Sequence, residues 1–180
     1  MSRLKSAFEI MQEVATFKCY SKKEKILDSD KISKSICAIQ EGVVRHYVID
    51  RNGNDKTLRI SKEGDLFFSS IVSFFKNEPS YIICEALTDT KLLTWSKTQI
   101  DELASKEPLI EAFRYQKLID FIVEKHKKEM SLMIHSAEDR YREFCEVNHE
   151  LFNRIPHYVI ASYLNMTPEM LSRIRKQSIS

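Results

Sequence analysis

The stretch HYVIASYLNMTPEMLSRIRK, His157 to Lys176, gathers side chains whose types and spacing could do recognition chemistry. Glu169, Ser172, Arg173 and Lys176 stand at offsets 0, 3, 4 and 7, which places them on one face of a helix. That face offers a carboxylate that accepts hydrogen bonds, a hydroxyl that can do either, a guanidinium fork that donates two in parallel, and an ammonium. Met170, Leu171 and Ile174 alternate with it and should point inward. Upstream, Pro156 sits where a helix can begin, and Ile160, Tyr163 and Leu164 can bury one side of that helix. Ala161 is small enough for another helix to cross closely. Asn165 tolerates the left-handed conformation of a tight turn, Thr167 can cap the following helix and Pro168 can open it. Together these make a helix-turn-helix pattern, with the polar face on its second helix.

The rest of the chain must position that face. The glycines, Gly42, Gly53 and Gly64, recur about every eleven residues among strand-like segments, the rhythm of an all-β meander. Asn52-Gly53 favours a tight hairpin because both residues tolerate positive φ. YIICEALTDTKLLTWS adds two strands around a polar Thr-Asp-Thr turn. Residues 17 to 96 therefore read as a β-sandwich or barrel, preceded by a short helix with Leu4, Phe8, Met11 and Ala15 on one face. After Pro108 the period lengthens to about 3.6. Tyr115, Ile119, Ile122, His126, Met130 and Met133 form one stripe, widened by Leu118, Phe121 and Val123. So broad an apolar surface needs two partners, and the simplest are its own β-domain and the same helix of a second subunit. Ser136 before AEDRYREF reads as an N-cap with acids in the first turn. The segment it opens, 136 to 180, is too small to be stable alone and should lean on the long helix.

Composition excludes several classes. At 180 residues, 43% hydrophobic and 30% charged, the chain can bury a real core. No apolar run is long enough to span a bilayer, and charges interrupt the start where a signal peptide would be apolar, so a cytoplasmic protein is expected, with no membrane partner. Cys19, Cys37, Cys84 and Cys145 are dispersed, without a zinc-ligand spacing, and read as reduced thiols; no metal site and no catalytic residue is expected. The overall charge of +2 says little, but from Leu151 onward Arg154, Arg173, Arg175 and Lys176 face only Glu169, a local net of +3.

A glycine-punctuated β-domain, a long apolar helix and a helix-turn-helix ending RIPHYVIASYLNMTPEMLSRIRK together resemble the Crp/Fnr family of transcription regulators, in particular its short Bacteroidetes-type members. The resemblance implies an α+β fold: an N-terminal β-jelly-roll, cyclic-nucleotide-binding-like, over 1–106, a long dimerisation helix over 107–135, and a small helix-turn-helix DNA-binding domain over 136–180 that lacks the usual wing. It also implies a homodimer that binds double-stranded DNA, with RNA polymerase as a further partner. Glu169, Ser172 and Arg173 match the Glu-x-x-Ser-Arg arrangement of the Fnr branch and would read bases, since arginine can fork onto guanine and glutamate can accept from cytosine. Tyr158, Thr167, Arg175 and Lys176 would hold phosphates.

At the family's effector site, the carboxylate and the arginine that hold a cyclic nucleotide are replaced by Ser69 and by Ser80-Tyr81. Without the arginine nothing there neutralises a phosphate, so no cofactor is expected, cyclic AMP included. Leu66, Phe67, Phe68, Ser69, Ser70, Ser80 and Tyr81 either line a pocket for an unknown small-molecule effector or fill a vestigial one. Two other readings compete with a DNA-binding regulator. One is a sensor or scaffold dimer whose helical head contacts protein rather than DNA. The other is a cupin-like metalloenzyme, which would need clustered histidines where the β-region offers only His46.

Overall fold

The computed structural model describes the backbone of residues 2–179 and the side chains of residues 7–177. A helix, α1 (Ser2–Glu13), leads into strands β1 (Thr16–Tyr20), β2 (Lys25–Leu27), β3 (Ser35–Glu41), β4 (Val44–Ile49), β5 (Asp55–Ser61) and β6 (Leu66–Phe68). The short α2 (Ile71–Lys76) precedes β7 (Ile83–Ala86) and β8 (Thr90–Ser96). Helices α3 (Lys97–Lys106), α4 (Pro108–Ile134) and α5 (Ala137–Asn148) follow, then a 3₁₀ segment (His149–Asn153), α6 (His157–Tyr163) and α7 (Pro168–Ile179).

The strands form two four-stranded antiparallel sheets, ordered β1-β8-β3-β6 and β2-β7-β4-β5. The two sheets make the β-sandwich read from the glycine rhythm, in the jelly-roll form that the family resemblance implied. Alternation along each strand sends successive side chains to opposite faces, and at the centre of the first sheet both faces are covered. On β3, Ile36 and Ala38 face outward and join Ala7, Met11, Ile110 and Phe113 of the helices. Cys37 and Ile39 face inward against Val44 and Cys84 of the other sheet. Trp95, opposite Ile36, is fully buried, and its indole N–H donates to the Met11 carbonyl at 2.7 Å, tying α1 to the sheet. Phe8 and Ala15 pack against that core as expected, and Leu4 lies outside the described side chains.

Turn chemistry accounts for the hairpins. The β4–β5 loop spans residues 50–54, and only Gly53 in it has positive φ, at 81°. The Asp50 carboxylate accepts from the amides of Asn52 and Asn54, each at 2.9 Å, so the loop is organised by an aspartate and not by paired left-handed residues as the Asn-Gly sequence suggested. Gly42 has φ of 102°, and a Cβ there would lie 2.5 Å from the Asp89 carbonyl oxygen. Only glycine lets the β3–β4 and β7–β8 turns meet.

The helical head, residues 136 onward, leans chiefly on the second sheet and only secondarily on α4, contrary to the expectation from its sequence. Val43, Leu87 and Ile60 of the β-domain share one apolar cluster with Phe144, Leu151, Val159, Ile160 and Leu171 of the head. A unit this small cannot close a core by itself, and the sheet's outer face supplies the missing wall. Polar contacts then line β5, an edge strand: the Thr57 amide donates to Ser162 Oγ at 2.9 Å, and Lys128 Nζ of α4 donates to the Leu58 carbonyl at 2.7 Å. Arg59 pairs with Glu124 at 3.2 Å and Lys62 with Glu150 at 2.6 Å. The edge is thereby covered. No helix among the described residues is long and apolar enough to cross a membrane.

Glu63 closes this seam. It accepts two bonds from Arg154, at 2.9 and 2.5 Å, and a third from the Gly42 amide at 2.7 Å. The Arg154 guanidinium holds its carboxyl down to about 2, well below the usual carboxylate value. Since the folded form is the weaker base, this pairing stabilises the fold above the unfolded value of 4.5 and is lost as pH falls towards about 2. Glu63→Gln should therefore lower stability to urea at neutral pH, and the gap from the parent protein should close as pH is lowered through that window. A gap that is constant with pH would show that the carboxylate charge does not hold the seam.

Candidate nucleic-acid interface

The helix-turn-helix is built by local chemistry. Helix α6 ends where the Leu164 amide bonds to the Ile160 carbonyl at 2.9 Å, and Asn165 then takes φ of 53°. That left-handed step turns the chain so that the Met166 amide reaches the Ala161 carbonyl at 3.0 Å. Thr167 Oγ1 accepts from the Met170 amide at 3.2 Å and caps α7, with Pro168 as its first residue. Leu171 and Ile174 are buried and Met170 is partly so. Glu169, Ser172, Arg173 and Lys176 all stand on the exposed face. The Glu169 carboxyl is held below its usual value by its own backbone N–H at the helix start and then by Thr167, so it presents an ionised acceptor.

One positioning residue was not legible in the sequence. Arg140 of α5 donates from Nε to the Leu164 carbonyl at 2.9 Å and from Nη1 to the His135 carbonyl at 2.7 Å. It therefore satisfies orphan carbonyls at the end of α6 and at the end of α4 together, joining the long helix to the turn before α7. In AEDRYREF it looks like any helix-forming arginine. The reading of Ser136 as a cap is met in full, because Ser136 and Asp139 form a reciprocal capping box.

The basic cluster of the head divides. Arg154 is bound to Glu63. Arg175, expected on a phosphate, instead turns inward: its guanidinium lies 4.7 Å over the Phe152 ring and its Nη1 sits 3.0 Å from His157 Nδ1. An arginine one position past buried Ile174 falls on the flank of α7, where the neighbouring aromatic captures it. Tyr158 stands half exposed at the seam, its ring 5.7 Å from the guanidinium of Arg45, a buried residue that also bonds Asp55 at 2.7 Å and Thr57 at 2.9 Å.

The seven residues suggested for an effector site do not converge. On β6, Leu66 and Phe68 face the helical layer while Phe67 faces the sandwich interior, edge-on to His46 with ring centres 4.7 Å apart. Ser69 donates to the Ser35 carbonyl at 3.1 Å, Ser70 caps α2, and Ser80 donates to the Ile82 carbonyl at 3.1 Å. Tyr81 is 79% exposed and lines nothing with the others. Strand alternation, invisible when a run of residues is taken together, separates them. Deeper in the sandwich, His46 Nδ1 lies 3.2 Å from Cys84 Sγ and Nε2 lies 3.3 Å from Ser61 Oγ. Burial, then Arg59, pushes this imidazole down to about 3, and burial pushes the Cys37 thiol up to about 12, so the interior is uncharged. Among the described residues no three His, Cys, Asp or Glu side chains group as a metal site.

Along α4, Ile110 and Phe113 are buried and Leu118 packs on the β-domain core. Tyr115, Ile122, Met130 and Met133 are exposed, with His126 beside them and Ile119 partly covered. A jelly roll sealed by a long helix, followed by a capped helix-turn-helix presenting a polar face, is the architecture of the Crp/Fnr fold. The chain belongs to the cyclic nucleotide-binding domain family, whose model matches residues 17–107. Its fold is similar to that of FixK2 from Bradyrhizobium japonicum, with 20% identity, a TM-score of 0.77 and coverage of 91% of this chain and 84% of that one. It is similar also to the c-di-GMP responsive global regulator CLP of Xanthomonas campestris, with 14% identity, a TM-score of 0.73 and coverage of 96% and 90%. Thermus thermophilus catabolite activator protein aligns with 18% identity, a TM-score of 0.60 and coverage of 96% and 82%. A sequence search of curated proteins gives no match.

The turn makes a direct test of the geometry. A β-branched residue at the left-handed position should cost about 1–2 kcal/mol, whereas glycine should be neutral or better. Asn165→Val is thus expected to lower stability to urea and Asn165→Gly to leave it unchanged. Equal losses in both variants would mean that the Asn165 side chain, and not its backbone, matters.

Proposed function

We propose that the protein is a dimeric, sequence-specific DNA-binding transcription regulator of the Crp/Fnr type, acting in the cytoplasm, whose nucleotide pocket is filled by its own side chains. The observation that carries this reading is the outer face of α7. Glu169, Ser172 and Arg173 stand exposed together within a turn and a half of one helix, opposite its buried residues Leu171 and Ile174. In a major groove the Arg173 fork reaches a guanine edge and Glu169 accepts from a cytosine amino group. Lys176, one turn further, and Thr167 at the helix start meet phosphates and set register. A helix of 27 residues is about 40 Å long, and the uncovered stripe on α4 suits a parallel pairing that would place two heads on successive turns of one DNA face. The committed serine hydroxyls and the absence of an arginine at Ser80-Tyr81 support a pocket that takes no cyclic phosphate.

Two experiments test the proposal. Fragments selected by the protein from random duplexes should share a palindrome, and on it Arg173→Ala should cost about 1–3 kcal/mol per half-site while leaving scrambled DNA nearly unaffected. Lys176→Ala should weaken both duplexes alike and make the salt dependence shallower by about one unit per subunit. If Arg173→Ala lowers both affinities equally, α7 does not read sequence. Separately, replacing Ile119 and Ile122 with glutamate should yield a folded monomer by sedimentation and abolish palindrome binding together. A variant that remains dimeric places the subunit seam elsewhere.

A further inference from the structure

The head contains a cavity of about 510 Å³ on the side of α7 away from its exposed polar face. Helix α5, the 3₁₀ segment and the flank of α7 enclose it. Tyr141 and Phe152, ring centres 5.8 Å apart, form an aromatic wall, and Cys145 and Ile174 extend the apolar lining. Arg142 and Arg175 bring two guanidinium groups to it, against one lining carboxylate, Glu138, with His149 the remaining titratable base.

Arg175 is oriented by the head's own residues, Phe152, His157 and Tyr141. Its guanidinium carbon lies 4.7 Å from the centre of the Phe152 ring, and its Nη1 donates to His157 Nδ1 at 3.0 Å. His157 donates in turn from Nε2 to the Phe152 carbonyl at 3.0 Å, which fixes Nδ1 as an acceptor. The fork is therefore oriented and half-buried, yet among the described residues no carboxylate pairs with it. A guanidinium oriented in this way with no carboxylate on it can take an anion entering the cavity in a charge-assisted pair. Arg142, 70% exposed at the mouth and 3.4 Å from Asp139, adds a second positive charge at the entrance.

We propose that this cavity binds a small aromatic carboxylate, its ring against Phe152 and Tyr141 and its carboxylate on the Arg175 fork. The site stands whether or not the head binds DNA, because none of the residues assigned to base reading lines it. It does touch α7 through Ile174 and Arg175, so an occupant would bear on that helix from behind.

Titration calorimetry of the full chain with 1-naphthoate, and with 1-naphthalenemethanol as its uncharged counterpart, tests the site. The carboxylate should bind saturably, one per chain, and roughly tenfold or more tighter than the alcohol, as a charge-assisted pair requires. Arg175→Gln keeps a planar group on Phe152 and removes the charge, so it should erase that preference while the melting curve without ligand stays close to the parent's. If Arg175→Gln melts too low to titrate, Arg142→Glu at the exposed mouth carries the test: weaker naphthoate binding supports the site and unchanged affinity overturns it. Equal binding of acid and alcohol, an unchanged preference in a folded Arg175→Gln protein, or no saturable heat at millimolar naphthoate likewise overturns the proposal.

Discussion

The contact between the outer face of the second sheet and the helical head is the constraint on which the rest of the structure depends. Val43 and Leu87 are almost wholly buried beneath the head, and each contributes about 1.5–3 kcal/mol by that burial. The ion pairs around them, Glu63–Arg154, Lys62–Glu150 and Arg59–Glu124, lie at the rim, where such pairs contribute about 0–1 kcal/mol each. Apolar burial therefore decides that the head docks. The charged pairs decide in which register it does so, because a carboxylate with three directed bonds, like Glu63, tolerates little rotation of its partner.

This division places β5 at the centre of the molecule's communication. Its backbone and side chains meet α4 through Leu58 and Arg59 and α6 through Thr57, and Lys62, just past its end, meets the 3₁₀ segment. Arg140 completes the circuit on the far side by bonding the ends of α4 and α6 at once. The polar residues Glu169, Ser172 and Arg173 of α7 stand outside these contacts.

The interior of the sandwich has a different character. Histidine, thiol and serine side chains there pair with one another, and the charged forms of His46 and Cys37 are strongly disfavoured by burial. A phosphate would find no cation and would displace hydrogen bonds already made. The head, by contrast, holds an oriented guanidinium beside an open cavity.

Local signals in the sequence were enough to set out the elements. Glycine spacing announced the strands, the change of period after Pro108 announced the long helix, and Asn165, Thr167 and Pro168 marked the turn and cap before α7, because each acts through its own backbone or its nearest neighbours. The polar face of Glu169, Ser172, Arg173 and Lys176 was legible for the same reason: helical periodicity fixes it without reference to the rest of the fold. What the tertiary structure decided depends on partners distant in the chain. Arg154 and Arg175 count equally with Arg173 in any sum of charge, yet one is bound to Glu63, ninety-one residues away, and the other lies on Phe152. Of the seven suggested pocket residues, Leu66 and Phe68 were separated from Phe67 by the pleat of β6 into two cores. The head rests on a sheet rather than on the adjacent helix because the apolar area it must cover could be supplied only by residues some hundred positions earlier, and no local pattern carries that information.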